Sequence, residues 1–327
     1  MKKLIRVLGI LVLFIAILAG GGLSYLNIAY PKVDPAPDIT VEITPTRLER
    51  GEYLANHVNL CMDCHGVREW DKFAGPPKAG SEGTGGEHFN HQMGFPGDIV
   101  SRNITPFGLK DWTDGEIYRA ITSGVSKDGT PLFPVMPYYQ YGEMDQEDIY
   151  AVIAYLRSLP VVETPKVETE LDFPLNLIVR TMPKPANHQP IPDKSNIVAY
   201  GSYMVNASGC FDCHTKQVKG EFIGEPYAGG MVFELGNGRI LTSPNITPHK
   251  STGIGMMTED AFINRFLAYQ DSGYSPAQVG PTDFQTVMPW TMYSGMKTED
   301  LKAIYAYLQS LPPVDNKIEK FVVTASQ

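Results

Sequence analysis

Cys61-Met62-Asp63-Cys64-His65 and Cys210-Phe211-Asp212-Cys213-His214 contain every cysteine of the 327-residue chain. Each is a Cys-x-x-Cys-His run. On a helical turn the two thiols project to one side and the histidine joins them there. That geometry lets both thiols add to the vinyl groups of a haem while the imidazole binds iron, which is the signature of c-type haem attachment. A zinc site, a redox dithiol and a structural disulfide are the competing readings. A zinc ribbon would use the two pairs jointly, whereas here each pair has its own histidine and lies far from the other in sequence. The expectation is two covalently attached haem c groups on Cys61, Cys64, Cys210 and Cys213, with His65 and His214 as proximal iron ligands.

Working outward from the frames exposes an internal duplication. Gly51-Glu52-Tyr53-Leu54 recurs as Gly201-Ser202-Tyr203-Met204, and Asn103-Ile104-Thr105-Pro106 as Asn245-Ile246-Thr247-Pro248. Met136-Pro137 recurs as Met288-Pro289, and Tyr155-Leu156-Arg157-Ser158-Leu159-Pro160 as Tyr307-Leu308-Gln309-Ser310-Leu311-Pro312. Order and spacing are kept, so the chain reads as two units, 46–162 and 195–314. A connector, 163–194, lies between them and a tail, 315–327, follows. The connector's apolar run 173–179 is expected to pack between the units.

Each unit reads as three helices: one ending at the cysteines, one in the middle and one at the end. Thr113 and Glu116 have the form of a capping box, and Thr258 can cap the matching helix. Ile149, Val152, Ile153 and Leu156, like Leu301, Ile304, Tyr305 and Leu308, recur at helical spacing and form core faces. The intervening segments, rich in the chain's 31 glycines and 26 prolines, read as loop.

A sixth iron ligand decides between electron carriage and chemistry at the metal. Thirteen methionines make any single one a weak candidate. The duplication selects Met136 and Met288, each in a loop before proline and at nearly the same remove from its histidine. Met144 and Met296 also correspond, but each begins the last helix, where packing accounts for it. His88 and His91 have no counterpart in the second unit. Arg102 and Arg239 are candidates for neutralising haem propionates.

Lys2, Lys3 and Arg6 precede an uncharged stretch over residues 7–29, long enough to cross a bilayer as a helix. Residues 1–30 are therefore a membrane anchor, with a cleaved signal peptide as the alternative. Either way the remainder is exported, and the anchor reading places the haem units on the periplasmic side of the cell inner membrane, single-pass. Prolines 31, 35, 37 and 45 mark residues 31–45 as an extended stalk holding the units off the membrane. With 27 basic and 36 acidic residues the net charge is -9, which argues against nucleic-acid partners and for basic protein ones.

Each unit resembles a class I cytochrome c domain, and residues 48–314 are similar to the multihaem cytochrome c subunits of membrane-bound alcohol, aldehyde and gluconate dehydrogenases. The resemblance rests on both cysteine frames, Gly51-x-Tyr53-Leu54, Ala228-Gly229-Gly230, Asn245-Ile246-Thr247-Pro248, Gly253-Ile254-Gly255, Met136-Pro137-Tyr138, Met288-Pro289-Trp290 and the two Tyr-Leu-x-Ser-Leu-Pro helices. It implies a mainly α fold of two tandem class I cytochrome c domains with long loops, in which first and last helices cross near Gly51 and Tyr155 and near Gly201 and Tyr307. It also implies Met136 and Met288 as axial ligands. Those subunits usually carry three haem domains, and this chain has two. Their Trp-Thr before the middle helix is kept as Trp112-Thr113 but becomes Met257-Thr258 in the second unit. The expected function is electron transfer, without a catalytic site of its own, from a dehydrogenase or quinol-oxidising partner to a terminal oxidase or small soluble cytochrome of a respiratory chain. A dihaem peroxidase is the alternative.

Overall fold

The computed structural model describes residues 1–270 and 273–324; the last three residues of the expected tail lie outside it. Helix α1 (Lys2–Ala29) is exposed along its length, with no buried residue. At 1.5 Å per residue it spans about 42 Å, enough to cross a hydrocarbon layer of about 30 Å.

Helix α2 (Pro45–Tyr53) starts on a Thr44 side-chain cap and runs into a π turn over Leu54–Val58. The expectation that the cysteines end this helix is not met. Leu60 adopts a left-handed conformation at φ 57, which breaks the helix, and the cysteines open a separate turn, α3 (Cys61–Cys64). The second unit repeats the device with Gly209 at φ 63 between α8 (Ile197–Ala207) and α9 (Cys210–His214). The middle helices are α4 (Asp114–Ser123), whose Thr113–Glu116 capping box is formed, and α10 (Glu259–Leu267), capped by Thr258. Short α5 (Tyr138–Tyr141) and α11 (Trp290–Tyr293) follow the Met-Pro pairs. The last helices are α6 (Gln146–Ser158) and α12 (Thr298–Ser310).

α2 packs on α6 and α8 on α12 with almost no separation, because glycines stand at the crossings. A Cβ on Gly51 would lie 1.9 Å from the Ala151 carbonyl oxygen, and one on Gly201 1.9 Å from that of Ala303. Tyr155 and Tyr307 sit beside these points, where the family resemblance implies the crossings. Around them Leu54, Met144, Ile153, Met204, Leu301 and Leu308 are sealed from solvent.

The segments read as loop carry short antiparallel strands. β1 (His88–Phe89), β2 (Gly97–Val100) and β3 (Glu170–Leu171) form one sheet, β4 (Gln217–Val218) and β5 (Glu221–Phe222) a hairpin, and β6 (Val232–Glu234), β7 (Arg239–Thr242) and β8 (Phe321–Val323) a third sheet. β3 belongs to the connector and β8 to the tail, so the structural repeat extends beyond the stretches that resemble each other in sequence. Strands of two to four residues leave too little alternation to be read from sequence.

The units meet through reciprocal contacts. Tyr53 donates to Asp300 at 2.5 Å and Tyr203 to Asp148 at 2.6 Å. The Lys297 amide donates to Tyr53 and that of Asp145 to Tyr203. His57 bonds the Met292 carbonyl and Asn206 the Gln140 carbonyl. These pairs relate corresponding positions in both directions, as a pseudo-two-fold axis requires. The connector does not fill this junction. Phe173 in its apolar run is 79% exposed, and helix α7 (Leu175–Ile178) has no buried residue. Beside these polar pairs, one buried apolar cluster draws its residues from both units and includes none of residues 173–179.

Residues 31–44 are extended, Pro45 of the expected stalk opening α2 instead, but they do not stand free. The Val41 amide donates to Asp114 at 2.8 Å, its side chain is buried, and the Pro37 carbonyl lies so close to Gly115 that a Cβ there would meet it at 1.8 Å.

Candidate functional site

The two cysteine turns sit on either side of the junction. The Asn59 side chain, two residues before Cys61, donates to the Ala207 carbonyl at 3.0 Å, three residues before Cys210. All four thiols are free; Cys61, Cys64 and Cys210 are partly buried and Cys213 is exposed. Desolvation pushes the thiols of Cys61, Cys64 and Cys210 up to about 12, so they are neutral rather than thiolate ligands. Among the described residues no three His, Cys, Asp or Glu side chains gather into a metal-binding group.

Each frame's histidine is held by a single ring nitrogen. His65 Nδ1 lies 2.7 Å from the Arg102 carbonyl and His214 Nδ1 2.9 Å from the Pro244 carbonyl. Nδ1 is thereby the protonated nitrogen, and Nε2 keeps a lone pair for a metal. Burial lowers both imidazoles below their ordinary pKa, favouring the neutral form that ligation needs.

The accepting carbonyls are the residues before the repeated Asn-Ile-Thr-Pro stretches. Asn103 accepts from the Thr105 amide at 2.8 Å and donates to the Val162 carbonyl at 2.8 Å. Asn245 accepts from the Thr247 amide at 2.9 Å and donates to the Val314 carbonyl at 2.7 Å. Each asparagine thus ties the carbonyl's loop to the chain leaving the last helix. Two glycines complete the arrangement. Gly85 (φ 72) donates its amide to the His65 carbonyl and Gly229 (φ 75) to that of His214. A Cβ at either would lie 2.5 Å from the backbone of Arg102 or Pro244. The conserved spacing of Asn-Ile-Thr-Pro across the repeat was the sequence signal for these carbonyls; their role as histidine acceptors was not read from it.

The Met-Pro loops reach the same walls through α5 and α11. Tyr141 donates to the Asn59 carbonyl at 2.6 Å and Tyr293 to the Ser208 carbonyl at 2.5 Å. The segment following Met136 or Met288 is thereby fixed to the residues just ahead of Cys61 or Cys210. Both methionines are partly buried against the core. Met144 and Met296 are almost wholly buried, and Met144 sulfur accepts from Asn59 at 3.2 Å. Their surroundings are packing ones.

Within the frames, Asp63 faces Arg68 at 3.1 Å, and Asp212 accepts from Gln140 of the other unit at 2.8 Å. Burial outweighs these partners and pushes each carboxyl up to about 6. His88 pairs with Asp98 and His91 with Asp172, both on the surface. Arg102 lies 3.9 Å from Glu168, and the Arg239 guanidinium donates to the Leu235 carbonyl at 2.9 Å.

The donor set fits haem c: two neutral thiols on one turn, a neutral imidazole with its outer nitrogen committed, and a methionine loop pinned to the same wall, twice over. No family model matches the chain. It is 31% identical over 285 residues to the cytochrome c subunit of a quinone-dependent alcohol dehydrogenase of Gluconacetobacter polyoxogenes, covering 82% of this chain and 56% of that protein. It is 29% identical over 286 residues to the gluconate 2-dehydrogenase cytochrome c subunit of Pantoea cypripedii, covering 82% and 60%. A diheme cytochrome c-type protein of Cereibacter sphaeroides is 26% identical over 274 residues, covering 78% of this chain and 83% of that one. The chain spans between half and two thirds of the length of the dehydrogenase subunits it matches. It is a relative of the cytochrome c subunits of alcohol and gluconate dehydrogenases and of a dihaem c-type cytochrome.

Proposed function

We propose that the chain is a membrane-anchored dihaem c-type cytochrome built of two tandem class I domains, 46–162 and 195–314. Cys61 and Cys64 attach one haem and Cys210 and Cys213 the other. His65 and Met136 would ligate the first iron, His214 and Met288 the second. When bound, each haem supplies a one-electron iron couple. The chain's residues set its terms: Arg102 and Pro244 orient the imidazoles, methionine sulfur favours the reduced metal, and burial excludes competing ligands.

The observation that carries this reading is the duplicated bond from His65 to the Arg102 carbonyl and His214 to the Pro244 carbonyl. A histidine needed only for packing has no reason to expend its Nδ1 identically in both halves beside a cysteine pair. The names of the relatives support a dehydrogenase as electron donor; we propose a terminal oxidase or small cytochrome as acceptor. The acidic surface speeds encounter with a basic partner in a salt-dependent way. Helix α1 anchors the chain in the inner membrane with both domains on the periplasmic side.

Protein matured in a host that attaches c-type haem tests the proposal through haem stoichiometry, the near-infrared sulfur-to-iron band of the oxidised form and carbon monoxide binding by the reduced form. Two covalent haems, both showing the band and neither binding carbon monoxide, are expected. One haem without the band that binds carbon monoxide readily would replace the carrier by a dihaem peroxidase.

A further inference from the structure

The connector's exposed apolar run lies where the chain meets α1. Along α1 only Leu26 and Ala29, near its end, are partly covered, and so is Tyr30 beyond it. α1 lies against the 3-10 turn Val179–Thr181, whose Val179 is 4% exposed. Immediately before that turn stand Phe173, 79% exposed, and Ile178, 45% exposed, on either side of Leu175 and Leu177. Phe173 and Ile178 thus form an exposed apolar patch beside the end of α1, and a contiguous patch of this kind marks an interaction surface.

Residues 31–45 remove the spacer that would keep this run from the membrane. They are laid along the first unit by the Val41–Asp114 bond and the Pro37–Gly115 contact, so the globular part begins where the helix ends. The groups around the run suit an interface. Tyr25 and Tyr30 meet edge to face at the end of α1, Lys32 lies over the Tyr30 ring, and Arg180 and Lys184 follow the run. Of the acids just ahead of it, Glu170 and Asp172, the latter is engaged by His91 at 2.7 Å.

We propose that Phe173 and Ile178 enter the headgroup–acyl boundary of the bilayer crossed by α1, making the connector a second membrane contact that fixes the tilt of the globular part. The occupant of the patch is a lipid surface, and the proposal rests on the reading of α1 as a retained span. A helix alone leaves the domains free to swing about residue 30. A second apolar contact on the connector, which belongs to neither helical core, restricts that motion without burying either haem site.

The test places single nitroxide labels at F173C and I178C in the full-length, haem-loaded chain, whose native cysteines are consumed by haem attachment. The protein is assembled in nanodiscs of phosphatidylcholine and phosphatidylglycerol. Power saturation with oxygen and with a water-soluble nickel chelate, each referenced to nitrogen, reads the surroundings of the label. Oxygen accessibility exceeding nickel accessibility by at least about threefold at both sites is expected of a lipid-embedded residue. Labels accessible to nickel in protein that stays with the discs would overturn the lipid contact and leave the anchor standing. Protein that does not remain with the discs, or whose intact mass shows residues 1–30 removed, would overturn the anchor and this proposal with it.

Discussion

The phenol of Tyr53 in the first unit donates a 2.5 Å hydrogen bond to the buried carboxylate of Asp300 in the second. Tyr203 returns the bond to Asp148 at 2.6 Å, yet the two carboxylates are not equally provided for. Asp148 also accepts two bonds from Arg50, at 2.8 and 2.7 Å, whereas Asp300 has Tyr200 at 2.8 Å where the first unit has that arginine, with Lys194 only at 3.9 Å. Tyr53→Phe therefore leaves a buried carboxylate with one close partner, and Tyr203→Phe leaves one still paired to a guanidinium. The expected losses are about 3 and about 1.5 kcal/mol, read from urea midpoints of the haem-loaded protein. Equal losses would show that the charge on Arg50 does not distinguish the sites.

How much of this was legible in the sequence divides along a physical line. The capping box at Thr113 is a local pattern and forms where its residues predict, and the glycine crossings lie where the family resemblance implies them. The break at Leu60 was not legible, because a leucine with positive φ has no composition signal; only Gly209 at the matching position hinted at it. The carbonyls of Arg102 and Pro244 were hidden for another reason. They act through backbone atoms, so their side chains differ while the neighbouring Asn-Ile-Thr-Pro is kept. The junction of Tyr53 with Asp300 pairs positions far apart in sequence, which no local pattern marks. The connector run does not pack between the units because the apolar cluster there is filled by residues of the units themselves.

Gly85 and Gly229 occupy left-handed backbone positions and face the carbonyls that hold the histidines. Gly85→Ala adds both a conformational penalty and a Cβ 2.5 Å from the Arg102 backbone, for a total of about 3 kcal/mol. The collision pushes the Arg102 carbonyl away from His65. A weaker Nδ1 bond makes the imidazole a poorer donor, so the reduction potential of the haem on that frame rises by tens of millivolts while the other stays. Potentiometric titration of the visible spectrum separates the two. Gly229→Ala is expected to move the other haem instead, and a shift of both or neither would disconnect these glycines from the histidines.

Asn103 makes its bonds to Thr105, Val162 and Thr164 from one side chain. Asn103→Ala removes the closer donor to the partly buried Val162 carbonyl, leaving it the Thr105 hydroxyl at 3.4 Å, and orphans the Thr105 amide, costing about 2 kcal/mol. Asn103→Asp keeps the acceptor but loses the donor, and is expected to recover less than half of that. Thermal unfolding of the haem-loaded protein measures both. A full rescue by aspartate would place the weight of the motif on its turn rather than on its tie to Val162.

Met136 and Met144 offer the sharpest contrast between ligation and packing. Met144 is wholly buried with its sulfur against Asn59, so Met144→Leu changes shape at nearly constant volume and is expected to cost under about 1.5 kcal/mol without altering the haem spectrum. Met136 lies in a loop that Tyr141 fastens beside the first cysteine frame through the Asn59 carbonyl. Met136→His replaces a soft thioether by a harder donor that favours oxidised iron, so one of the two potentials falls by on the order of 0.2 V and half of the near-infrared sulfur band disappears. Met136→Ala removes the ligand and opens that iron to carbon monoxide. The same pair of changes at Met288 is expected to act on the other haem. Loss of the band on Met144→Leu with retention on Met136→Ala would exchange the two residues' roles and require the turn just ahead of α6, rather than the Met-Pro loop, to supply the axial sulfur.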